Sequence, residues 1–330
     1  MKLWRYLLVK KVVVIGGNAA GLSAASQVKR RRPEWEVTVL EKGTDISYGS
    51  CGIPYFLGGL VPSVDQLTTV TPEKAVNKRN LNLLTAAEAT ALDPQKKEVV
   101  VKTDCGSERL PFDFLAFCAG ASATTSEIEV EGRQGIFTVH NLNDAREVDE
   151  FMRRHNPRKA AVIGGGFIAV ELVEAFQRRG LETHLVHRRD SLARHLEQEI
   201  SDSLLAEIEK KGVILQLNRK VKGVSAENGT LAPEVIVHTE AEDLHYDMVV
   251  IATGVKPNTA MLEGTGIELG RKNAVKADAF MQTNYEGIYA AGDCAQTFNL
   301  VTGEPVFFPM ALKANREGFI AGVNIAGGQE

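Results

Sequence analysis

The sequence predicts an α/β protein of two similar halves, each a parallel sheet accompanied by a smaller antiparallel sheet, with the second half inserted into the first. Three observations carry this expectation. A β-branched run, a glycine-rich turn, a helix-like stretch and a second alternating run follow one another from Val12 to Leu40, and the series returns from Ala160 to Val186. Strand, turn, helix and strand in that order make the βαβ unit of a parallel sheet. Runs at Lys97 to Lys102 and Val235 to Glu240 fit hairpin strands outside those sheets. A chain of 330 residues has room for two domains of roughly 100–200 residues each.

Val12-Val13-Val14-Ile15 is the first strand, and Gly16-Gly17-Asn18-Ala19-Ala20-Gly21 turns into a helix that must end before Pro33. Trp35 to Leu40 is the second strand and stops at Glu41. Leu115 to Ala121 reads as a buried strand pattern running through Cys118-Ala119-Gly120. Ala160 to Ile163 opens the second unit, Gly164-Gly165-Gly166-Phe167-Ile168-Ala169 leads into a helix through Arg179, and Glu182 to Val186 follows as a strand. Met248 to Gly254 ends in Ala252-Thr253-Gly254, and Thr283 to Asp293 reads as a short strand closing on an acid. These breaks place one domain at 1–120 plus 252–330 and the other at 121–251.

Composition excludes several classes. With 44% hydrophobic and 24% charged residues the chain is neither disordered nor collagen-like, and a net charge of −4 argues against generic nucleic-acid binding. Cys51, Cys105, Cys118 and Cys294 form no CxxC pair and no metal-ligand spacing, which fits free thiols in a reducing compartment. Near the N-terminus Leu7-Leu8-Val9 is too short for a signal-peptide core, and Lys10-Lys11 interrupts it. No apolar run approaches the ~18–20 residues of a membrane span. The expectation is a soluble, cytoplasmic protein that binds no metal, no nucleic acid and no membrane.

A pyrophosphate needs a tight turn, backbone N–H groups and a helix N-terminus. Gly16 supplies the first turn and Gly21 lets helix and strand pack closely, with Gly17, Ala19 and Ala20 between them. Asn18 stands where the usual middle glycine would be, and Asn tolerates left-handed backbone. Glu41, 20 residues past Gly21 and next to Lys42, suits an adenosine ribose. In the second unit Gly164, Gly166, Phe167 and Ile168 form the corresponding turn. Its second strand ends on His187-Arg188-Arg189 instead of an acid, with Arg194 a little further on. Cationic donors there suit a 2′-phosphate, so the second loop is expected to take NADPH, with NADH possible.

These residues resemble the pyridine nucleotide-disulfide oxidoreductase family, flavoproteins with two Rossmann-like dinucleotide-binding domains, one for FAD and one for NAD(P)H. Gly16 to Gly21 with Glu41 look like the family's FAD pyrophosphate and ribose site, and Gly292-Asp293 like the motif whose aspartate holds the ribityl chain. Ala252-Thr253-Gly254 and Gly164 to Ala169 look like the linking and NAD(P)H motifs, Ala119, Gly120 and Gly254 join the expected cofactor-binding residues, and Phe167 stands where the family often has a gating tyrosine. Ser47-Tyr48-Gly49-Ser50-Cys51-Gly52-Ile53-Pro54-Tyr55 is similar to the single-cysteine branch of coenzyme A-disulfide and CoA-persulfide reductases. Dithiol members have a second cysteine where Phe56 stands here. A lone cysteine works as a sulfenic acid or as a mixed disulfide with a small thiol.

Cys51 also has a physical case of its own. Pro54 suits the first turn of a helix, which places Cys51 at or just before a helix start, where N–H groups favour a thiolate. Cys105, Cys118 and Cys294 lack that context and read as packing residues. The resemblance further implies that Gln27, Arg30, Ser47 and Ser50 contact a CoA moiety, with Lys78 and Arg79 adding to a phosphate site. The helix near Pro309 and Asp293 would orient the flavin.

Three functions follow for comparison. The first is an FAD-dependent, NADPH-using reductase of a CoA-type disulfide or persulfide acting through Cys51. A peroxidase or oxidase would use Cys51 as a sulfenic acid, but that branch has an active-site histidine in the first loop region and this chain has none between Gly16 and Arg32. An electron-transfer module would dock on a protein partner. Family members continue for about a hundred residues past the segment resembling Gly318 to Gly328, as a dimerisation domain absent from this sequence, which leaves a partner chain as one way of completing the site.

Overall fold

The computed structural model describes residues 9–125, 127–193, 196–226 and 234–328. The elements that matter to function are, in chain order, strand β1 (Lys11–Ile15), helix α1 (Ala19–Arg31), β2 (Glu36–Leu40), the short helix α2 (Ile53–Leu57), α3 (Pro72–Arg79), β3 (Phe114–Phe117), α4 (Leu142–His155), β4 (Lys159–Ile163), α5 (Phe167–Arg178), β5 (Glu182–Val186), β6 (Met248–Ile251), β7 (Ile288–Ala290) and α6 (Ala311–Ile325). Backbone contacts divide the chain into two compact units, 1–49 with 68–122 and 256–330, and 50–67 with 123–255.

In the first unit a five-stranded parallel sheet has the order β7, β3, β1, β2 and Asn82–Leu84. Ile15 is level with Leu40 on one side and Phe117 on the other, so the residues that follow these strands emerge along one edge. Both faces are buried. Val12 and Val14 join one apolar cluster while Val13 and Ile15 join another, the period-2 alternation of a strand covered on both sides. Helix α6 lies against α1 at close range, because Gly318 and Gly322 have no Cβ; one built there would stand 2.1 Å from the Ala20 carbonyl oxygen and 2.4 Å from that of Ala24. An antiparallel sheet of Glu88–Asp93, Glu98–Thr103 and Gly106–Pro111 completes the unit.

The second unit repeats the plan, with a parallel sheet ordered Ile136–Phe137, β6, β4, β5 and Ile214–Gln216. Its smaller sheet is not purely antiparallel as expected: Val221–Ala226 pairs antiparallel with Val235–Thr239 but parallel with Glu129–Glu131. The segment 50–67, expected in the first domain, groups with this unit instead. Helix α2 packs on α4 and α5, and the bare Gly58 permits it, since a Cβ there would lie 3.2 Å from the Ala175 Cα. Of the strand expected at Thr283 to Asp293, only Ile288–Ala290 forms.

Among the described residues no helix is long and apolar enough to cross a membrane, and no group of three or more His, Cys, Asp or Glu side chains could hold a metal ion.

One buried histidine gives the second unit a pH dependence. His184 is 6% exposed, with Nε2 3.0 Å from Glu182 Oε1 and Nδ1 3.3 Å from the Tyr246 hydroxyl. Burial, with Lys159 adding to it, pulls its pKa below the ordinary 6.5 despite the help of Glu182. The folded state therefore takes this proton less readily than the unfolded chain, and the stability present above pH 6.5 is lost as pH falls toward the folded value. His187 is shifted the same way, whereas the lowered carboxyls of Glu182 and Asp113 act only below their ordinary 4.5 and 3.8. Glu171 and Glu317, whose carboxyls burial raises, act with the opposite sign in the same range, so the test is a difference: between pH 7.5 and 5.5, His184→Gln should lose less stability to urea than wild type does. An equal loss in the two would remove His184 as a cause.

Candidate active site

Glycines in the two loops have two different jobs. At Gly16, φ is +103° and a Cβ would lie 2.1 Å from the Cys118 carbonyl oxygen; at Gly21 it would lie 1.8 Å from that of Gly16. Both are packing requirements that let α1 approach β1 and β3. Asn18 is the N-cap of α1 but does not cap it, since its Oδ1 accepts the N–H of Tyr48 at 3.1 Å. No acidic residue occupies the first turn of α1, which begins at Ala19 and Ala20. The Glu41 carboxylate accepts the N–H groups of Gly17 and Gly43, each at 2.8 Å, and keeps lone pairs for a ribose hydroxyl. Lys42 points elsewhere, to Glu88 at 2.8 Å.

Opposite this loop in sequence, Gly292 (φ +87°) rests against α1, where its Cβ would meet that of Ala20 at 2.9 Å. Its N–H donates to Glu317 Oε2 at 2.9 Å, and Lys313 Nζ reaches its carbonyl at 3.2 Å. Burial holds the Glu317 carboxyl above its usual range, against the pull of Lys313 and the Gly292 N–H. Asp293 follows, half-buried. Ala119 accepts the Asn258 amide at 2.8 Å, and Gly120 (φ +67°) has open space where a Cβ would project.

The second loop differs in kind. Gly164 (φ +150°) packs as Gly16 does, its Cβ position 2.2 Å from the Ala252 carbonyl oxygen. Gly166, the N-cap of α5, and Gly254 (φ +133°) face open space. Phe167 and Ile168 stand in the first turn of α5 at 45% and 36% exposure, and that turn holds no acid. The His187 ring lies over Gly165, where a Cβ would come within 2.5 Å of it. Burial first, then Arg189 and Arg188, lower the His187 pKa and favour the neutral ring. Arg188 is ion-paired with Glu127. Arg194 lies outside the described residues.

By contrast, α3 and α4 are closed by side-chain caps from Thr71 and Asn141. The starts of α1 and α5 each follow a glycine turn at the end of a parallel strand, with neither a side-chain cap nor an acid in the first turn, and Gly166 leaves the backbone of the second open; this is the donor set that pyrophosphates take. The residues present therefore fit FAD at the first loop and a nicotinamide dinucleotide at the second.

Cys51 is exposed, in the single turn Ser50–Gly52 that leads directly into α2, with Pro54 in the first turn of that helix. Leu67 braces this turn: a Cβ on Gly52 would stand 2.4 Å from Leu67 Cδ2. Cys118 and Cys294 are buried, and burial raises both thiols, Cys294 to about 12. Cys105 corrects the expectation of a packing residue; it is exposed in the turn between two hairpin strands.

The first unit also holds a cleft of about 740 Å³ beside α1, and sequence-predicted residues Gln27, Arg30, Ser47, Lys78 and Arg79 line it together. Lys29 lies there too, no carboxylate does among the described residues, and Arg79 is fixed by donating to Ser26 Oγ at 2.7 Å. Ser50 does not join this cleft; it belongs to the other unit. Sequence reasoning missed Glu127, Lys313 and Glu317. Nothing local marks them, because each acts on a partner distant in the chain or buried by the fold.

The model of the pyridine nucleotide-disulphide oxidoreductase family matches residues 10–313. A relative from Pyrococcus horikoshii, an NAD(P)H coenzyme A polysulfide/persulfide reductase, is 38% identical over 319 residues, covering 96% of this chain and 70% of its own. The solved NAD-dependent persulfide reductase of A. fulgidus is 34% identical with a TM-score of 0.91, but this chain spans 97% of itself and only 59% of that protein. An engineered water-forming NADPH oxidase, derived from the NADH oxidase of Lactobacillus brevis, is 27% identical with a TM-score of 0.90 over 97% of this chain and 70% of its own. Its substitutions introduce an alanine, an alanine-arginine-serine triplet beginning 18 positions later, and an arginine five positions past the triplet. The chain belongs to the pyridine nucleotide-disulphide oxidoreductase family, whose members depend on FAD.

Proposed function

We propose that this chain is the catalytic body of an NADPH oxidoreductase that reduces a coenzyme A-type disulfide or persulfide through Cys51, in the reducing cytoplasm where its thiols stay free. The observation that carries the reading is the cleft beside α1. Lys29, Arg30, Lys78 and Arg79 line it with no carboxylate among the described lining residues, and its roughly 740 Å³ is the size of a nucleotide-class ligand site. Such a cleft suits the 3′-phosphate and pyrophosphate of a CoA moiety. Ser47, Tyr48 and Gly49 line it as well, and the chain reaches Cys51 two residues later.

Bound FAD would supply the two-electron relay from the nicotinamide to sulfur. Gly16 to Gly21, Glu41 and Gly292-Asp293 would hold it, and Gly164 to Ile168 with Gly254 the nicotinamide nucleotide. The Cys51 thiolate attacks one sulfur of the substrate disulfide, the S–S bond breaks, and one thiolate leaves. Two electrons and a proton then cleave the mixed disulfide, restoring Cys51 and releasing the second thiol. His187, Arg188 and Arg194 favour NADPH. Together with Ala169 they fall at the spacing of the substitutions in the engineered NADPH oxidase.

The test is anaerobic NADPH consumption by FAD-loaded protein with CoA disulfide and with pantethine, the disulfide that lacks the 3′-phospho-ADP part. Arg30→Ala and Arg79→Ala should each raise KM for CoA disulfide about tenfold, the loss of a charged hydrogen bond, and leave pantethine turnover unchanged. Equal effects on both substrates, or none on CoA disulfide, would overturn the reading.

A further inference from the structure

The end of β5 carries a charge balance that the basic run His187-Arg188-Arg189 conceals. Arg188 Nη1 is paired with Glu127 Oε2, and Glu127 comes from the segment after Ala121–Ala123, 61 residues away in sequence. That segment is tied to the open Gly254 loop: Thr124 N–H donates to the Gly254 carbonyl at 3.0 Å, and Thr253 Oγ1 donates to the Thr124 carbonyl at 2.7 Å. The pair therefore stands beside the nucleotide loop, and both side chains reach solvent, Glu127 at 71% and Arg188 at 47% exposure.

A 2′-phosphate and the Glu127 carboxylate are rival ligands for one guanidinium. Each is anionic and each presents oxygens to the same fork of donors. A phosphate of about −1.5 to −2 charge must break or share the existing pair and also sit near a like charge. A 2′-hydroxyl faces neither demand, and a carboxylate is the group that normally accepts its hydrogen bond. His187 adds no charge in compensation, since its ring is held toward the neutral form.

We propose that Glu127 is a specificity-determining residue that competes with the 2′-phosphate for Arg188, narrowing the preference for NADPH and keeping NADH usable. The inference rests on the assignment of the second loop to the nicotinamide nucleotide. It predicts a protein less selective than its run of three basic residues suggests.

The experiment is calorimetric binding of adenosine 2′,5′-bisphosphate and of AMP to the FAD-loaded protein at low and high salt, for wild type, Glu127→Gln and Arg188→Ala. Glu127→Gln should tighten the bisphosphate about three- to tenfold and leave AMP unchanged or slightly weaker, the effect shrinking in high salt. The kcat/KM ratio of NADPH to NADH should rise in parallel through KM. Both side chains are exposed, so neither variant should cost folding. If Arg188→Ala weakens the bisphosphate but Glu127→Gln leaves it unchanged, the competition is refuted and the loop assignment stands. If neither variant changes the difference between the two ligands, the 2′-phosphate assignment of Arg188 falls, and the proposal with it.

Discussion

Cys51→Ser should abolish NADPH-dependent reduction of CoA disulfide, with a fall of at least about a thousandfold, while transfer of electrons from NADPH to an artificial acceptor is retained. A serine hydroxyl cannot attack a disulfide sulfur or form a mixed disulfide that two electrons would cleave. The other cysteines offer no substitute. Cys118 and Cys294 are buried, with thiols raised by that burial, and Cys105 is exposed in a hairpin turn of the smaller antiparallel sheet. Because Cys51 is exposed, the oxygen-for-sulfur change should leave folding intact. Trapping with CoA disulfide followed by mass spectrometry should find one CoA adduct on Cys51, and Cys105→Ser should turn over normally. Disulfide turnover in Cys51→Ser within tenfold of wild type would end the cysteine mechanism. The protein would then be better described as a flavin module serving another acceptor.

How much of this site was legible in the sequence depends on how far apart its partners lie. Gly16, Gly21, Glu41, Gly164 and His187 could be read directly, because a strand, a turn and a helix fix their relations within about thirty residues. Gln27, Arg30 and Ser47 were placed through the resemblance, and the fold brings them to one cleft with Lys78 and Arg79. The pairing of Arg188 with Glu127 and the hold of Glu317 on Gly292 were not legible. Each depends on topology that brings distant segments together, and an exposed or buried acid looks the same in sequence. Segment 50–67 shows a related effect. Chain continuity assigned it to the first domain, whereas packing of α2 against α4 and α5 groups it with the second unit.

The same distinction separates glycines that spacing treats as equivalent, and it yields opposite outcomes for one substitution. Gly21→Ala should destabilise the first unit by about 3 kcal/mol and strip FAD from the protein. Its Cβ would stand 1.8 Å from the Gly16 carbonyl oxygen and 3.1 Å from Val14 Cγ1, so backbone must move. The motion would pull Gly16 off its contact with Cys118 and open the turn that the pyrophosphate needs. Gly166→Ala should behave otherwise. Its φ of −90° suits any residue and nothing lies within 4 Å of the new Cβ, so the fold should lose only about 1 kcal/mol, mainly from the poorer N-cap. The methyl group would instead occupy the open face of the second loop, raising KM for NADPH tenfold or more by the same order as a lost charged contact, about 1.5 kcal/mol. Thermal unfolding, FAD content after gel filtration and NADPH kinetics separate the two. Retained FAD and an unchanged melting temperature in Gly21→Ala would show that the helix can shift to admit a methyl group. Unchanged NADPH kinetics in Gly166→Ala would remove the second loop from the nucleotide site.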